Sequence, residues 1–199
     1  GSEIKLEKVI KEEDNYFERQ RETRFLSEAK GSYTSWLFSF QSDGKKVTGM
    51  ANIPKKTGKL PVVVMLRGYA DEEIYFTGLG TRKAAGVFAE NGFITLAPDF
   101  LGFGGSAEQS TDILEARFER PVTVLNLLAS IKSLPQADPE KIFLWAHSNG
   151  GQIALSVLEI LAKNNLSASW RIPTTLWAPV TKGFPESVLQ YMSEMDDQG

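Results

Sequence analysis

The sequence predicts an α/β domain whose sheet is mostly parallel, with an antiparallel hairpin at its N-terminal end and helices on both faces. Two β-rich runs are joined by a turn at Ser42-Asp43-Gly44, and after residue 60 short apolar runs alternate with amphipathic segments. No internal repeat or low-complexity linker interrupts this pattern. With 199 residues, 42% of them hydrophobic, the chain can bury one core, so we expect one domain over residues 31–199.

The first 30 residues differ in composition from the rest. Residues 3–30 are dense in charge, and their apolar side chains are scattered. We expect residues 1–30 to form a solvated helix or arm that lies on the domain and carries no chemistry.

The hairpin and the strand after it open the predicted sheet. The runs 33–41 and 45–54 are rich in β-branched and aromatic residues, and Gly44 can take the positive φ that their turn needs. Residues 60–68 (LPVVVMLRG) are apolar at consecutive positions, which indicates a strand covered on both faces. Helices should therefore flank it.

Helices and strands alternate through the rest of the chain. We expect Thr81 to cap the first helix and Asn91-Gly92 to end it, and Pro121 to lie near the start of the second helix. The remaining predicted elements are strands at 93–100, 141–147 and 174–179 and helices at 150–165 and 184–195.

The composition excludes several classes of function. A net charge of −3 without a basic block argues against nucleic acid or an anionic membrane as a partner. The chain has no cysteine and one histidine, so we expect neither a transition metal nor a thiol nucleophile, and no cofactor. No apolar run reaches membrane-spanning length and residues 3–30 are too charged for a signal peptide, so we expect a cytoplasmic protein.

The exit of one predicted strand has the pattern of a nucleophile. Reactive groups of an open parallel sheet lie at the carboxyl ends of its strands, and Ser148 follows the run 141–147 directly. Ala146 and Gly150 are small at the two positions where a tight strand-to-helix turn has no room for side chains. The pattern A-x-S-x-G therefore predicts a nucleophile elbow, and the alternative is a serine that merely caps the helix.

Three strand exits together resemble the α/β-hydrolases. The segments are LRGYAD (66–71), PDFLGFGGS (98–106) and WAHSNGG (145–151), and within that superfamily they are most similar to the single-domain prolyl oligopeptidase (peptidase S9) and dienelactone hydrolase families. The resemblance covers Tyr33 to Pro179. It implies that Ser148 is the nucleophile and that the backbone amides of Tyr69 and Asn149 form the oxyanion hole.

The sequence departs from these families at two positions. Arg67 stands where the family usually has histidine, and Ala146 where it usually has glycine. Neither departure removes a backbone donor. The position of Asp99 closes a turn in the family, so we expect a structural role for it. Aromatic residues near the exits, Tyr75, Phe100 and Phe103, suggest an aromatic-lined cleft.

A second glycine pattern suggests a different function. Gly102, Gly104 and Ala107 spell G-x-G-x-x-A, a dinucleotide fingerprint. It does not follow the first strand of a βαβ unit, and no regular helix obviously begins at its third small residue. We therefore rank nucleotide binding well behind the hydrolase.

The general base of such a hydrolase is missing from the sequence. In this fold the order is serine, then acid, then histidine, whereas the single histidine, His147, precedes Ser148. Adjacent residues of a strand point to opposite faces, so we expect His147 to be a packed residue. Asp196 and Asp197 are more typical of a solvated terminus than of a triad. We expect the acid and histidine to come from a separate C-terminal fragment of the same protein.

These expectations together describe an incomplete enzyme. Residues 31–199 would be the N-terminal portion of a hydrolase domain, incomplete at its C-terminal wing and inactive alone. The fragment would pair with the open edge of strand 174–179, because an apolar edge strand invites pairing. The predicted function is cleavage of an ester or peptide bond through an acyl-enzyme on Ser148. The alternative is a non-catalytic, hydrolase-like binding module.

Overall fold

The computed structural model describes residues 1–10, 31–164, 171–181, 186 and 189. In these residues the strands are β1 (Lys5–Val9), β2 (Tyr33–Ser42), β3 (Lys45–Pro54), β4 (Leu60–Leu66), β5 (Ile94–Pro98), β6 (Ala137–His147) and β7 (Thr174–Trp177). The α-helices are α1 (Arg82–Glu90), α2 (Ile113–Ser130) and α3 (Asn149–Lys163), and two short 3-10 helices cover Glu72–Ile74 and Ile131–Ser133.

The strands form one mixed sheet in the order β1-β2-β3-β5-β4-β6-β7. Neighbours from β1 to β5 are antiparallel, whereas β5, β4, β6 and β7 are parallel to one another. The predicted fold class is confirmed. The central strand β4 is covered on both faces, since each residue from Val62 to Leu66 is at most 2% exposed.

The hairpin forms where the sequence predicted it. β2 and β3 pair without a break from Tyr33↔Pro54 to Ser42↔Lys45. Asp43 and Gly44 connect them with φ values of 49° and 80°. Two successive positive φ values match the right-handed twist of the strands, which explains why a glycine occupies the second position.

Helices lie on both faces of the sheet, as predicted. One face packs against α2 and α3 through the buried side chains of Val124, Leu127, Ile153 and Val157. The other face packs against α1, where Ala85 meets a smaller cluster that includes Met65 and Trp145. Because β4, β5 and β6 are parallel neighbours in the sheet, their carboxyl ends lie together at one end of the core.

Two helix starts differ from the prediction. α2 begins eight residues before Pro121, because the Asp112 carboxylate caps it by accepting the Glu115 amide at 2.9 Å. Pro121 is therefore internal, where it removes one backbone hydrogen bond. Thr81 precedes α1, but its hydroxyl donates to the Gly78 carbonyl and does not cap the helix amides. The predicted end of α1 is confirmed, with Gly92 at φ 91°.

The charged N-terminal segment contains a strand. Lys5–Val9 is not helical: it pairs antiparallel with β2 as the edge strand β1. Ile4 is buried and Leu6 packs against the core, so the apolar residues alternate with charged ones at the period of a strand. Residues 11–30 lie outside the described part of the chain, as does nearly all of the helix predicted over 184–195.

Candidate active site

Ser148 forms the whole connection between a strand and a helix. β6 ends at His147, α3 begins at Asn149, and Ser148 has φ 51° and ψ −120°. A positive φ costs a residue with a side chain about 1–3 kcal/mol, so the surroundings must hold it there. The Ser148 amide donates to the Trp177 carbonyl at 3.2 Å, and the Ser148 carbonyl accepts from the Gly151 and Val180 amides, each at 2.9 Å. This is the sharp strand–turn–helix that the sequence predicted.

The small residues around Ser148 are required by contact. Ala146 is fully buried. A Cβ on Gly150 would lie 2.3 Å from the Leu66 carbonyl oxygen and 2.6 Å from that of Arg67. Because these obstacles are backbone atoms of β4 and its exit, no rotamer change could relieve the overlap. A side chain at position 150 would therefore require β4 or α3 to move.

The exit of β4 borders Ser148. A Cβ built on Gly68 would lie 3.1 Å from Ser148 Cβ and 3.3 Å from His147 Nδ1. The segment Gly68-Tyr69 thus lies beside the serine, and it contains the residue whose amide the resemblance implies as one oxyanion donor. Asn149 is the first residue of α3, so its amide lies at the positive end of the helix. The side chain of Tyr69 is 74% exposed and its hydroxyl donates to Asp71 Oδ1.

His147 is packed in an aromatic row. Its ring centroid lies 4.7 Å from that of Trp177 and 6.5 Å from that of Trp145. The expectation of a packed residue agrees with this arrangement. Since the sequence has no other histidine, this chain has no other imidazole to accept the proton of Ser148.

Asp99 lies in a buried polar cluster. Its carboxylate is fully buried and accepts hydrogen bonds from the hydroxyls of Thr48 (2.6 Å), Tyr75 (2.7 Å) and Thr77 (2.9 Å). Burial raises the pKa of Asp99, and the three hydrogen bonds oppose that rise. Burial, and then the nearby charge of Asp99, also raises the pKa of Tyr75. These bonds join the start of β3 to the segments that follow β4 and β5, which agrees with the expected structural role.

The glycine-rich loop after β5 packs against the same cluster. A Cβ on Gly104 (φ 60°) would lie 2.5 Å from Asp99 Oδ2, and the Gly105 amide donates to Thr48 Oγ1. The Gly102 amide donates to the Ala107 carbonyl, and the next helix begins only at Ile113. The loop therefore does not open a helix N-terminus, as a dinucleotide fingerprint requires.

The aromatic residues near the exits do not line a cleft. Phe100 and Phe103 are 2% and 8% exposed. Their rings and that of Tyr75 surround the guanidinium of Arg67, whose Cζ lies 5.7, 4.2 and 4.6 Å from the three ring centroids in that order. The expected aromatic-lined cleft is wrong for these residues, because the buried cation of Arg67 attracts their π faces.

Arg67 also contacts the backbone beside Ser148. It is 7% exposed, Nη1 donates to the Gly68 carbonyl at 2.9 Å, and Nη2 donates to the Asp99 carbonyl at 3.3 Å. From the sequence, this arginine was only a departure from the family pattern. A single arginine that ends an apolar strand, with three aromatic residues at neighbouring exits, was the signal that could have identified its role.

Neither a metal centre nor a membrane-spanning helix occurs in the part of the chain that the structure describes. No group of three or more acidic or histidine side chains there could hold a metal ion. No helix there combines the length and the apolar character needed to cross a bilayer.

Comparison with known proteins assigns this arrangement to a family and a fold. The family model described as Chlorophyllase matches residues 38–182. None of the curated proteins matches the sequence significantly.

Solved structures match most of the chain. One is an acetyl xylan esterase from Paenibacillus sp. R4, with 18% identity, a TM-score of 0.56, and coverage of 79% of this chain and 49% of that one. A second is the α/β-hydrolase GrgF from Penicillium sp. sh18, with 19% identity, a TM-score of 0.57, and coverage of 83% and 54%. A third is a dienelactone hydrolase-like promiscuous phosphotriesterase from metagenomic libraries, with 17% identity, a TM-score of 0.52, and coverage of 75% and 60%.

These likenesses establish the fold. The sheet and its helices are those of an α/β-hydrolase, as the resemblance of the three strand exits implied. The chain spans about half the length of the first two of these structures.

Proposed function

The chain belongs to the chlorophyllase family, and we propose that it acts as a serine hydrolase that cleaves an ester through an acyl-enzyme on Ser148. The backbone of Ser148 carries the proposal: a side-chain-bearing residue is held at φ 51° between a strand and a helix, beside the exit of β4. A serine that only capped α3 would not need this strained conformation, and the Ser148 side chain makes no capping hydrogen bond.

The proposed reaction uses the serine hydroxyl and two backbone amides. Ser148 Oγ attacks the ester carbonyl carbon, and the carbonyl electron pair moves onto its oxygen, where the Tyr69 and Asn149 amides donate hydrogen bonds. The intermediate then collapses, the bond to the alcohol oxygen breaks, and a base passes the serine proton to the leaving alcohol. Water hydrolyses the acyl-enzyme by the same steps, which releases the acid and restores Ser148.

An ester is favoured over a peptide as the substrate. The acetyl xylan esterase is an esterase by name, whereas no comparison reported above names a peptidase. No cofactor takes part in the proposed reaction.

In this proposal the base comes from outside the 199 residues of this chain. The single histidine packs against Trp177, and Asp99 is buried under three hydroxyl donors. We propose that a C-terminal segment of the same protein pairs with the free edge of β7 and supplies the acid and the histidine. Among the described residues, β7 pairs only with β6, so its other edge can accept a strand.

Covalent labelling tests the nucleophile. A fluorophosphonate probe should label the complete assembled protein, and Ser148→Ala should abolish the labelling. Ser156→Ala is a matched control, because Ser156 lies in the same helix two turns further on and should be labelled like the wild type. Labelling that persists in Ser148→Ala would contradict the assignment.

Chemical rescue tests the missing base. The 199-residue chain alone should hydrolyse p-nitrophenyl acetate very slowly, and added imidazole should accelerate the reaction in the wild type but not in Ser148→Ala. An intact-mass measurement should accompany the assay. Full esterase activity from a single species with the mass of this chain, without imidazole, would contradict the proposal that the base is supplied separately.

A non-catalytic binding module is the second candidate, because the packed His147 leaves Ser148 without a base. The same measurements discriminate the two functions. A binding module should resist the fluorophosphonate in the complete protein and should gain no Ser148-dependent rate from imidazole.

A further inference from the structure

We infer that Arg67 is a positioning residue that fixes the Gly68–Tyr69 peptide so that the Tyr69 amide faces the oxygen bound at Ser148. The inference rests on the proposed function, because it assigns a task to a residue next to the proposed oxyanion hole. Arg67 itself would touch neither the substrate nor Ser148.

The first step is the geometry of one peptide bond. Arg67 Nη1 donates to the Gly68 carbonyl oxygen at 2.9 Å. In a trans peptide the carbonyl and the following N–H point in opposite directions, so the Tyr69 amide points away from the guanidinium. Gly68 itself lies against Ser148, since a Cβ there would be 3.1 Å from Ser148 Cβ. Holding this carbonyl therefore sets the direction of an amide beside the serine.

The second step is that this peptide needs to be held. Glycine is less restricted in φ and ψ than any other residue, so the Gly68–Tyr69 plane could rotate at low cost. The hydrogen bond from a charged donor opposes that rotation, and such bonds are about twice as strong as neutral ones. A donor on the carbonyl also polarises the peptide, which strengthens its N–H as a donor to an oxyanion.

The third step is that Arg67 is itself rigid. It is 7% exposed, its guanidinium lies against the rings of Tyr75 and Phe103, and Nη2 donates to the Asp99 carbonyl. Nε is buried without a hydrogen-bond partner in the described part of the chain. Burying an arginine with an unsatisfied N–H costs stability. The two hydrogen bonds that Arg67 does make both hold backbone carbonyls at strand exits, as a positioning residue should.

Enzyme kinetics on the complete assembled protein test the inference. Arg67→Met keeps much of the side-chain volume but removes the donor, and we expect kcat for a p-nitrophenyl ester to fall about 100-fold while KM changes less than about twofold. Arg67→Lys retains one charged donor and should recover kcat to within about tenfold of the wild type. Fluorophosphonate labelling should slow in the same order.

Thr77→Val is the matched control. Thr77 also donates to the Asp99 carboxylate, at 2.9 Å, whereas the hydrogen bond to the Gly68 carbonyl comes from Arg67. This variant should lose stability and keep the wild-type kcat. An equal loss of kcat in Thr77→Val and Arg67→Met would show that the cluster is only structural and would overturn the inference, as would a wild-type kcat in Arg67→Met.

A second measurement separates this inference from the proposed function. In ¹⁵N-labelled protein the Tyr69 amide resonance should shift and its hydrogen exchange should accelerate in Arg67→Met, and less so in Arg67→Lys. If the wild type is neither labelled nor active, the proposed function fails while this measurement still tests the hold on the peptide. If Arg67→Met does not fold, Arg67→Gln, which exchanges the charged donor for a neutral one, carries both tests, and an unmoved Tyr69 resonance with a wild-type kcat there overturns the inference.

Discussion

At the scale of single residues, the charge of Asp99 makes stability depend on pH. The carboxyl is fully buried, and burial is the largest influence on it and raises its pKa. The folded protein therefore binds a proton more readily than the unfolded chain does. Stability must fall as the pH rises from about 4, the ordinary pKa of an aspartate, through the raised pKa of the folded state. The three hydroxyl donors oppose this loss, because they favour the charged carboxylate.

Removing one of the hydroxyl donors to Asp99 should make the fall in stability with rising pH larger. Thr77→Val raises the pKa of Asp99 further, because a hydrogen bond that lowers it disappears. We expect Thr77→Val to lose about 0.5–1.5 kcal/mol of unfolding free energy near pH 4 and about 1.5–3 kcal/mol once Asp99 is charged. Urea unfolding across that pH range measures both values.

Thr123→Val provides the matched comparison. Thr123 is 1% exposed and its hydroxyl has no partner in the described part of the chain. The same exchange of hydroxyl for methyl there removes no hydrogen bond, so its effect should be small and independent of pH. If the loss of unfolding free energy in Thr77→Val were also independent of pH, this account of Asp99 would be contradicted.

At the scale of elements, the turn between β6 and α3 should tolerate no side chain at position 150. In Gly150→Ala the new Cβ would meet the Leu66 and Arg67 carbonyl oxygens at 2.3 and 2.6 Å, so either β4 or α3 must move. We expect a loss of about 1–3 kcal/mol in unfolding free energy, measured by urea denaturation, and a loss of labelling at Ser148. Gly31→Ala meets nothing within 4 Å and should change stability by less than about 0.5 kcal/mol. Equal stability of the two variants would refute this requirement.

The elements could be predicted from the sequence where their signals are local. The turn at Asp43-Gly44, the consecutive apolar residues of β4 and the small residues around Ser148 each occupy a few adjacent positions. The predicted start of α2 was wrong because the helix begins at the Asp112 cap, eight residues before Pro121, which is internal. The strand β1 was missed because its alternation lies within a highly charged segment.

The surroundings of the site could not be predicted, because they join distant positions. Thr48 donates to Asp99 from 51 residues away, and Arg67 reaches the Asp99 carbonyl across 32. Sequence patterns give no measure of such contacts until the order of the strands is known. For the same reason, three aromatic residues near the exits were expected around a substrate and instead surround an arginine.

At the scale of the whole molecule, β7 is the last strand of the sheet in the described part of the chain, and its outer edge can accept another strand. The Pro173 and Trp177 carbonyls accept hydrogen bonds from Leu144 and Ser148 of the preceding strand and its turn. Backbone groups of alternate residues face the same side of a strand, so Thr175 also faces β6, whereas Thr174 and Leu176 present theirs to the open edge. The side chain of Trp177 at this edge is 61% exposed.

This alternation allows the two edges of β7 to be tested separately. We expect the isolated chain to self-associate through β7, and Thr174→Pro should weaken that association at least about tenfold, because proline removes a donor from the open edge only. Thr175→Pro removes a donor to β6 instead, so it should lower the melting temperature. Sedimentation equilibrium measures the first effect and thermal unfolding the second.

Since the proposed C-terminal segment would pair with the same edge, Thr174→Pro should also reduce the activity of the assembled protein while leaving the imidazole-rescued rate of the isolated chain intact. Wild-type self-association and wild-type assembled activity in Thr174→Pro would together show that no strand pairs at this edge, and the base would then have to reach Ser148 by another route.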